Sequence, residues 1–170
     1  MPDLRIRRGA VTDVPRLTAI YNEYVRDTPI TFDIEPWSVE RRRREWFEHF
    51  AESGRYQLFV AEDGDAVVGY ATSSLFRPKA AYDTTVEATI YLAPNAKGRG
   101  TGRALYAKLF ESLRSEDVRR VLAGITLPNE ASQSLHERMG FTRVAHFTEV
   151  GRKFDRYWDV IWLEKKMEES

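Results

Sequence analysis

The chain has 170 residues, a length that fits one domain with a single core between a sheet and its helices. Its 26 basic side chains balance 26 acidic ones, which excludes the strong positive field expected of a protein that binds nucleic acid or an anionic membrane. It has no cysteine, which excludes disulfides, thiolate metal sites and a cysteine nucleophile, and no apolar run typical of a signal peptide or membrane helix.

The N-terminal segment predicts a strand followed by two helices. Residues 4–8 alternate between apolar and basic side chains, as a half-buried strand does. A helix follows from Pro15, because apolar residues recur there at the 3.6-residue period: Val14, Leu17, Ile20, Tyr21, Tyr24 and Val25. Ser38 can cap a second helix that runs toward Phe50. Arg41 to Arg44 fan around that helix between glutamates, which predicts a solvated face rather than a nucleic-acid site.

The remainder of the chain predicts six strands and two helices. The strands span residues 56–62, 66–75, 85–92, 121–126, 142–150 and 157–165. Asp63-Gly64 can form a tight turn between the first two, which gives an antiparallel hairpin. One helix begins near Gly102, and the other spans Asn129 to Met139 and stops at Gly140, which can adopt the left-handed conformation. We therefore expect an α/β fold, a mixed sheet with helices on both faces, in one domain over residues 1–170 of a cytoplasmic protein.

A glycine-rich loop, KGRGTG at residues 97–102, carries the clearest chemistry. It lies between a strand and a helix, where glycines let the backbone approach a ligand and the helix N-terminus offers unpaired N–H groups with about half a positive charge. That geometry suits a diphosphate, and Lys97, Arg99 and Arg103 add cations around it. The spacing matches neither of the two common phosphate-loop patterns, G-x-x-x-x-G-K-[ST] and G-x-G-x-x-G. A flexible connection with solvent-facing charges remains the alternative.

Several separated segments resemble one family. The segments IYL, PNAKGRGTGRAL and LPNEASQSLHERMGF together resemble the GNAT superfamily of acetyl-CoA-dependent N-acetyltransferases, whose signature [QR]-x-x-G-x-[GA] is met at residues 97–102 with lysine in first place. AYDTTVEATIYLAP and VGRKFDRYWDV look like the phosphinothricin and methionine sulfoximine N-acetyltransferase group, over essentially the whole chain. The resemblance implies a GNAT-like, mostly antiparallel sheet, splayed open between the strands at 85–92 and 121–126. It also implies a homodimer.

The resemblance further implies acetyl-CoA as the co-substrate and no metal. The pantetheine arm would lie in the splayed cleft and pair with a strand backbone, and the diphosphate would lie on the glycine-rich loop. The implied cofactor-binding residues are Ile90, Tyr91, Leu92, Lys97, Gly98, Arg99, Gly100, Thr101, Gly102, Arg103, Asn129 and Ser132.

Glu87 and His136 are the candidate catalytic residues. An amine attacks a thioester only when neutral, and an α-amino group has a pKa near ~8, so a base is required. Side chains alternate along the strand, so Glu87 lies on the face opposite to that of Val86 and Ala88. The resemblance gives Glu87 the role of that base. The alternative is a solvated carboxylate paired with an arginine. His136, where many relatives have tyrosine, can donate a proton to the CoA thiolate or help deprotonate the amine.

The acceptor site is predicted from a few residues near the same strand. Arg77 is a candidate clamp for a substrate carboxylate, because guanidinium pairs with that group through two hydrogen bonds. The residues implied for the acceptor pocket are Phe32, Phe76, Arg77, Tyr82, Thr85, Val86 and Glu87. Asp83 stands at the mouth of this pocket and leaves its charge selectivity open. Lys153 and Phe154 also match the phosphinothricin and methionine sulfoximine N-acetyltransferase group.

The predicted function is transfer of acetyl to the α-amino group of a small amino-acid analogue of the phosphinothricin, methionine sulfoximine or methionine sulfone type. Because no cysteine can form an acetyl intermediate, direct attack within a ternary complex is expected. Two alternatives stay open. The acceptor can instead be a protein N-terminus, a polyamine or an aminoglycoside, or the chain can be a non-catalytic acetyl-CoA-binding module.

Overall fold

The structure, a computed structural model, describes residues 4–168 and arranges them as a seven-stranded sheet with four α-helices. The strands are β1 Leu4–Arg8, β2 Leu58–Asp63, β3 Ala66–Leu75, β4 Thr85–Leu92, β5 Arg120–Thr126, β6 Thr142–Lys153 and β7 Arg156–Lys166. The helices are α1 Val14–Asp27, α2 Val39–Glu45, α3 Thr101–Leu113 and α4 Glu130–Arg138. None of the helices in this part of the chain is long and apolar enough to cross a membrane.

The sheet is mixed, as predicted. Its strand order is β1-β2-β3-β4-β5-β7-β6, and every neighbouring pair is antiparallel except β4 with β5. A crossover helix, α3, connects that parallel pair, as parallel strands require. The predicted order of strands and helices is confirmed.

Helices cover both faces of the sheet and enclose two cores. On one face, α3 buries Leu105 and Leu109 against Val86 and Ala88 of β4. On the other face, α1 buries Leu17 and other apolar residues against Tyr70 of β3. The alternation of side chains along β4 therefore divides its residues between two environments.

Three of the predicted helix and turn signals act as expected. Ser38 accepts a hydrogen bond from the Arg41 backbone N–H and caps α2. Gly64 and Gly140 have φ values of 62° and 86°, which side-chain-bearing residues rarely adopt. The second helix is shorter than expected, because the chain leaves it after Glu45 and continues as a 3₁₀ turn at residues 47–49.

The interpretation of Arg41 to Arg44 as a solvated face is wrong for one residue. Arg41, Arg43 and Arg44 are exposed and pair with neighbouring glutamates. Arg42 is only 4% exposed. Successive helical residues are about 100° apart, so one of four consecutive side chains must turn toward the sheet.

The sheet splits in its middle, which positions everything that follows. Strands β4 and β5 pair only where Thr85–Glu87 meets residues 120–122. Beyond Glu87, β4 stays paired with β3 as far as Leu92, and β5 stays paired with β7 as far as Thr126. Within residues 4–168, each strand therefore has a backbone edge that faces its neighbour without pairing to it. The splayed sheet is confirmed.

Candidate active site

A cavity of about 50 Å³ lies where β4 and β5 separate. Residues 88–91 of β4 and 124–126 of β5 form its sides. Its other lining residues come from α3, α4 and the loop between α1 and α2: Tyr106, Asn129, Ser132, His136 and Ile30. The structure thus brings together five predicted residues from two separate parts of the sequence: Ile90, Tyr91, Asn129, Ser132 and His136.

Glu87 is the last β4 residue that pairs with β5, so its side chain lies at the start of the split. It is half-buried, and burial raises the pKa of its carboxyl above the ordinary value. Within residues 4–168 no cation forms an ion pair with this carboxylate, so the alternative of an arginine-paired strand glutamate does not hold. A carboxylate with a raised pKa is a stronger base than an ordinary one.

His136 is buried and its tautomer follows from its two partners. Its Nδ1 lies 2.7 Å from the carbonyl oxygen of Ser132, which can only accept, so Nδ1 carries the proton. Its Nε2 therefore accepts a hydrogen bond from the Tyr106 hydroxyl at 3.0 Å. Burial lowers the pKa of His136, although the bond to Ser132 opposes that change. The imidazole is accordingly neutral, with its acceptor nitrogen turned toward Tyr106.

Tyr106 is a site residue that the sequence reasoning missed. Burial raises the pKa of its hydroxyl, and the nearby charge of Glu87 raises it further. Its side chain therefore lies within electrostatic reach of Glu87 and within hydrogen-bonding reach of His136. In sequence it lies next to the leucine stripe of α3 and is indistinguishable from a core residue. The feature that could have pointed to Tyr106 in the sequence is its hydroxyl group, because a buried tyrosine needs a hydrogen-bond partner for that group.

The glycine-rich loop has the backbone conformation that the prediction required. Gly98 and Gly100 have φ values of 73° and 82°, and α3 begins directly after Gly100. Among residues 4–168, no heavy atom other than those of Gly98 and its two chain neighbours lies within 4 Å of a Cβ built on Gly98. The glycine-rich loop is therefore open at this position, and α3 starts three residues later with N–H groups that lack intrahelical partners, an arrangement that fits a bound diphosphate.

The three predicted loop cations differ in their partners. Arg99 forms an ion pair with Asp63 at 2.9 Å, and the Lys97 ammonium lies 5.1 Å from the Tyr24 ring centre. Arg103 is exposed on the first turn of α3. The pairing of Arg99 could not be predicted, because Asp63 is 36 residues away in the chain.

Asn129 and Ser132 have structural roles beside the cleft. The Asn129 side-chain oxygen accepts a hydrogen bond from the Ser132 backbone N–H and caps α4. This bond leaves the Asn129 side-chain NH₂ as the group that can meet a ligand. No cluster of three His, Asp or Glu side chains that could hold a metal ion occurs between residues 4 and 168.

The predicted acceptor residues fall into two groups beside the split. In the first, Phe76 packs edge-on against Tyr82, and the Arg77 guanidinium lies 5.0 Å from the Phe76 ring centre. Thr85 lies in the short parallel pairing with β5. The Val86 side chain is fully buried under α3, so only its backbone can face an acceptor.

The second group joins the α1–α2 loop to the β6–β7 hairpin. Phe32 packs directly over Gly151, where a Cβ would collide with its ring. Buried Lys153 donates a hydrogen bond to the Thr31 carbonyl at 2.8 Å. Phe154 is half-exposed beside it. The hairpin therefore holds this loop, and with it Ile30, over the cavity.

A larger groove of about 620 Å³ runs along the outer side of α3 to the end of β7. It is lined by residues such as Lys108, Glu111 and Lys165, which carry charges of both signs. It contains none of the predicted site residues. Size alone does not identify the site, and the small cavity at the split is the candidate.

The Glu87 environment predicts a pH-dependent stability change in Glu87→Gln. The raised pKa means that the Glu87 carboxyl keeps its proton more readily in the folded state than in the unfolded chain, where its pKa is about 4.5. Below that pH both states are neutral, and above the folded pKa the folded state must bury a charge. The melting temperature of Glu87→Gln minus that of wild type should therefore rise as the pH increases from 4 to 8.

The control for this measurement is Glu52→Gln, which changes an exposed loop residue. Its melting-temperature difference should stay flat over the same pH range. A Glu87→Gln difference that was flat or fell with increasing pH would contradict the burial of this carboxylate.

The comparisons with known proteins agree with this geometry. Residues 17–141 match the acetyltransferase (GNAT) family model. The chain is 52% identical to a Streptomyces coelicolor phosphinothricin N-acetyltransferase over 97% of both chains. It is 33% identical to a Pseudomonas aeruginosa L-methionine sulfoximine/L-methionine sulfone acetyltransferase, over 96% of this chain and 94% of the other.

The solved structures give the same result. A GNAT superfamily phosphinothricin acetyltransferase from Sinorhizobium meliloti, in complex with acetyl-CoA, is similar at a TM-score of 0.90 with 30% identity. The alignment covers 96% of this chain and 88% of that one. The predicted family, fold and enzyme class are confirmed. The chain belongs to the GNAT family of acetyltransferases and is an N-acetyltransferase.

Proposed function

We propose that this enzyme transfers acetyl from acetyl-CoA to the α-amino group of a small amino-acid analogue, of the phosphinothricin, methionine sulfoximine or methionine sulfone type. The observation that carries the proposal is the split beyond Glu87, where a glycine-rich loop at a helix N-terminus, a carboxylate with a raised pKa and a Tyr106–His136 pair lie together. The names of the relatives with 52% and 33% identity support this class of acceptor.

The residues around the split fit acetyl-CoA. The edge of β4 at residues 90–92 is not paired with β5 and would offer backbone groups to the pantetheine amides, as an added strand would, although the Leu92 carbonyl also accepts a hydrogen bond from the Tyr24 hydroxyl at 2.6 Å. The N–H groups at the start of α3, with Arg103 beside them, would hold the diphosphate. The Asn129 side-chain NH₂ would reach the pantetheine from the other side of the cavity. When bound, the co-substrate supplies an acetyl thioester to the cavity.

Glu87 is the base in this proposal. An acceptor ammonium must lose a proton before its nitrogen can attack, and the Glu87 carboxylate accepts that proton directly or through water. Its raised pKa brings it closer to that of an amine near ~8, which makes the transfer less uphill.

Tyr106 is the proton donor, and His136 positions it. Neutral His136 has no proton at Nε2 to give, because Nδ1 holds it against Ser132. As the C–N bond forms and the C–S bond breaks, the Tyr106 hydroxyl would turn from His136 Nε2 to the sulfur and give it its proton, and the second proton of the amine would then replace that proton on Tyr106. A high pKa keeps Tyr106 protonated until the sulfur departs. Acetyl would thus pass directly from the thioester to the amine while both substrates are bound in a ternary complex.

The acceptor carboxylate would meet Arg77, whose guanidinium is exposed beside Phe76 and Tyr82. A carboxylate and a guanidinium form two parallel hydrogen bonds, which orient the amine as well as bind it. Phe32 would form the apolar wall on the opposite side.

We also propose that the enzyme is a cytoplasmic homodimer. The β6–β7 hairpin, which includes the edge strand of the sheet, exposes five large apolar side chains by about half: Val144, Phe147, Val150, Phe154 and Tyr157. An exposed apolar strand at a sheet edge is a favourable surface for a second copy. The absence of cysteine from the chain suits a reducing compartment.

Thiol release from acetyl-CoA tests the acceptor class. We expect turnover with methionine sulfone, methionine sulfoximine and phosphinothricin, and at least tenfold lower kcat/KM with spermidine, an aminoglycoside and a short peptide, because those lack a free α-carboxylate beside the amine or carry excess positive charge. A peptide or polyamine ranked first would contradict the proposal. Acetyl-CoA binding without release on any acceptor would favour a binding module.

The catalytic roles predict different pH patterns for two variants. Glu87→Gln should lower kcat/KM by about 100-fold between the pKa of Glu87 and that of the amine, with a smaller loss at higher pH, where the amine is already neutral. Tyr106→Phe should lower kcat by about tenfold or more at every pH, because Tyr106 stays protonated throughout. Tyr157→Phe, at an exposed hydroxyl, is the control. Unchanged kinetics in either variant would remove that residue from the mechanism.

A further inference from the structure

Arg42 lies deep between α2 and the sheet, although its neighbours on α2 are exposed. Its guanidinium carbon lies 4.0 Å from the centre of the Tyr21 ring and 4.0 Å from that of Trp46. Trp37 forms a third wall at 5.4 Å. Three aromatic faces therefore enclose this cation, and their quadrupoles partly compensate its charge.

Among residues 4–168, no carboxylate forms an ion pair or a hydrogen bond with Arg42. Its one hydrogen bond goes to the Tyr70 hydroxyl at 3.0 Å, and its Nε is buried without a hydrogen-bond partner among residues 4–168. The nearby Asp33 carboxylate instead accepts hydrogen bonds from the Tyr21 hydroxyl and the Trp37 indole, both at 2.7 Å. A buried charge with an unsatisfied donor is costly, and a native fold that keeps one calls for an explanation.

The Arg42 charge faces the acceptor side of the cavity through two rings. Tyr21, which stacks on Arg42, meets Tyr91 edge-on at a centroid distance of 5.0 Å. Tyr91 lines the cavity. Burial raises the pKa of Tyr91, and the Arg42 charge acts in the opposite direction. The field of Arg42 therefore reaches the cavity wall through the buried Tyr21 ring and the Tyr91 ring rather than through bulk water.

A second buried cation adds to this field. Lys153 is 5% exposed and donates to the Thr31 carbonyl in the same loop. Asp33 is the carboxylate whose charge acts on Lys153. Two cations, Arg42 and Lys153, and the Asp33 carboxylate thus lie around the loop segment over the cavity.

We propose that Arg42 determines acceptor specificity through its electric field: without touching the acceptor, it favours amines that carry a carboxylate over amides and other uncharged analogues. The inference rests on the proposed function, because it concerns the amino-acid acceptor that we propose for this enzyme. It differs from the role of Arg77, which would contact the carboxylate.

The test compares methionine sulfone with its carboxamide, which has the same side chain and lacks the negative charge. The measured quantity is the ratio of kcat/KM for the acid to kcat/KM for the amide. Comparing this ratio between variants cancels the intrinsic difference between the two amines. Arg42→Met removes the charge and keeps a flexible apolar side chain between the rings, whereas Arg42→Lys keeps the charge.

We expect Arg42→Met to lower the acid-to-amide ratio about three- to tenfold, mainly through a higher KM for the acid, as expected for the loss of one charge that acts through a medium of intermediate dielectric constant. Arg42→Lys should retain most of the wild-type ratio. Arg43→Met, which removes an exposed charge paired with Glu48, should leave it unchanged. Calorimetric binding of acetyl-CoA verifies that each variant is folded.

Two outcomes would overturn the inference and can be told apart. If wild type uses the acid and a folded Arg42→Met variant has the wild-type ratio, Arg42 is structural and the proposed acceptor still stands. If wild type acetylates neither compound, the proposed acceptor class fails and the inference fails with it.

Discussion

The separation of β4 from β5 is the constraint on which the rest of the structure depends. A β-strand in a sheet interior normally pairs on both edges. Beyond Glu87, however, β4 pairs only with β3, and beyond residue 122, β5 pairs only with β7. Unpaired backbone N–H and C=O groups are costly unless a ligand or water satisfies them. We therefore infer that the gap receives an extended, amide-bearing molecule, and α3 begins with the glycine-rich loop near one end of it.

The two faces of the sheet carry different parts of the proposed site. The face covered by α3 and α4 holds the glycine-rich loop and the Tyr106–His136 pair, and we propose that these elements bind the co-substrate and act on its thioester. The opposite face, with α1, α2 and the loop tied down by Lys153, surrounds the acceptor side. Burial raises the pKa of Glu87 at the point where the two meet. The cost of burying that carboxylate is the physical origin of its basicity.

The sequence predicted the elements well because their signals are local. Alternation defined β1 and β4 to the residue, and glycine and capping signals placed the turns at Gly64 and Gly140. What it missed depends on contacts distant in the chain. Tyr106 looked like part of an apolar helix face until its hydroxyl met His136, 30 residues away. Arg42 looked like one of four solvated arginines, and the signal that was overlooked is Trp46, which lies four residues on and therefore on the same helix face. The Tyr21 ring, which also encloses Arg42, lies 21 residues away and could not be predicted.

Residue-resolved amide hydrogen exchange, with and without acetyl-CoA, tests the central claim most directly. If the gap in the sheet seats the co-substrate, its addition slows exchange at residues 88–92 on the free edge of β4 and at residues 98–103 on the loop, while the distant β1–β2 pairing changes little. Acetyl-CoA that bound tightly and left exchange at both segments unaltered would contradict the account.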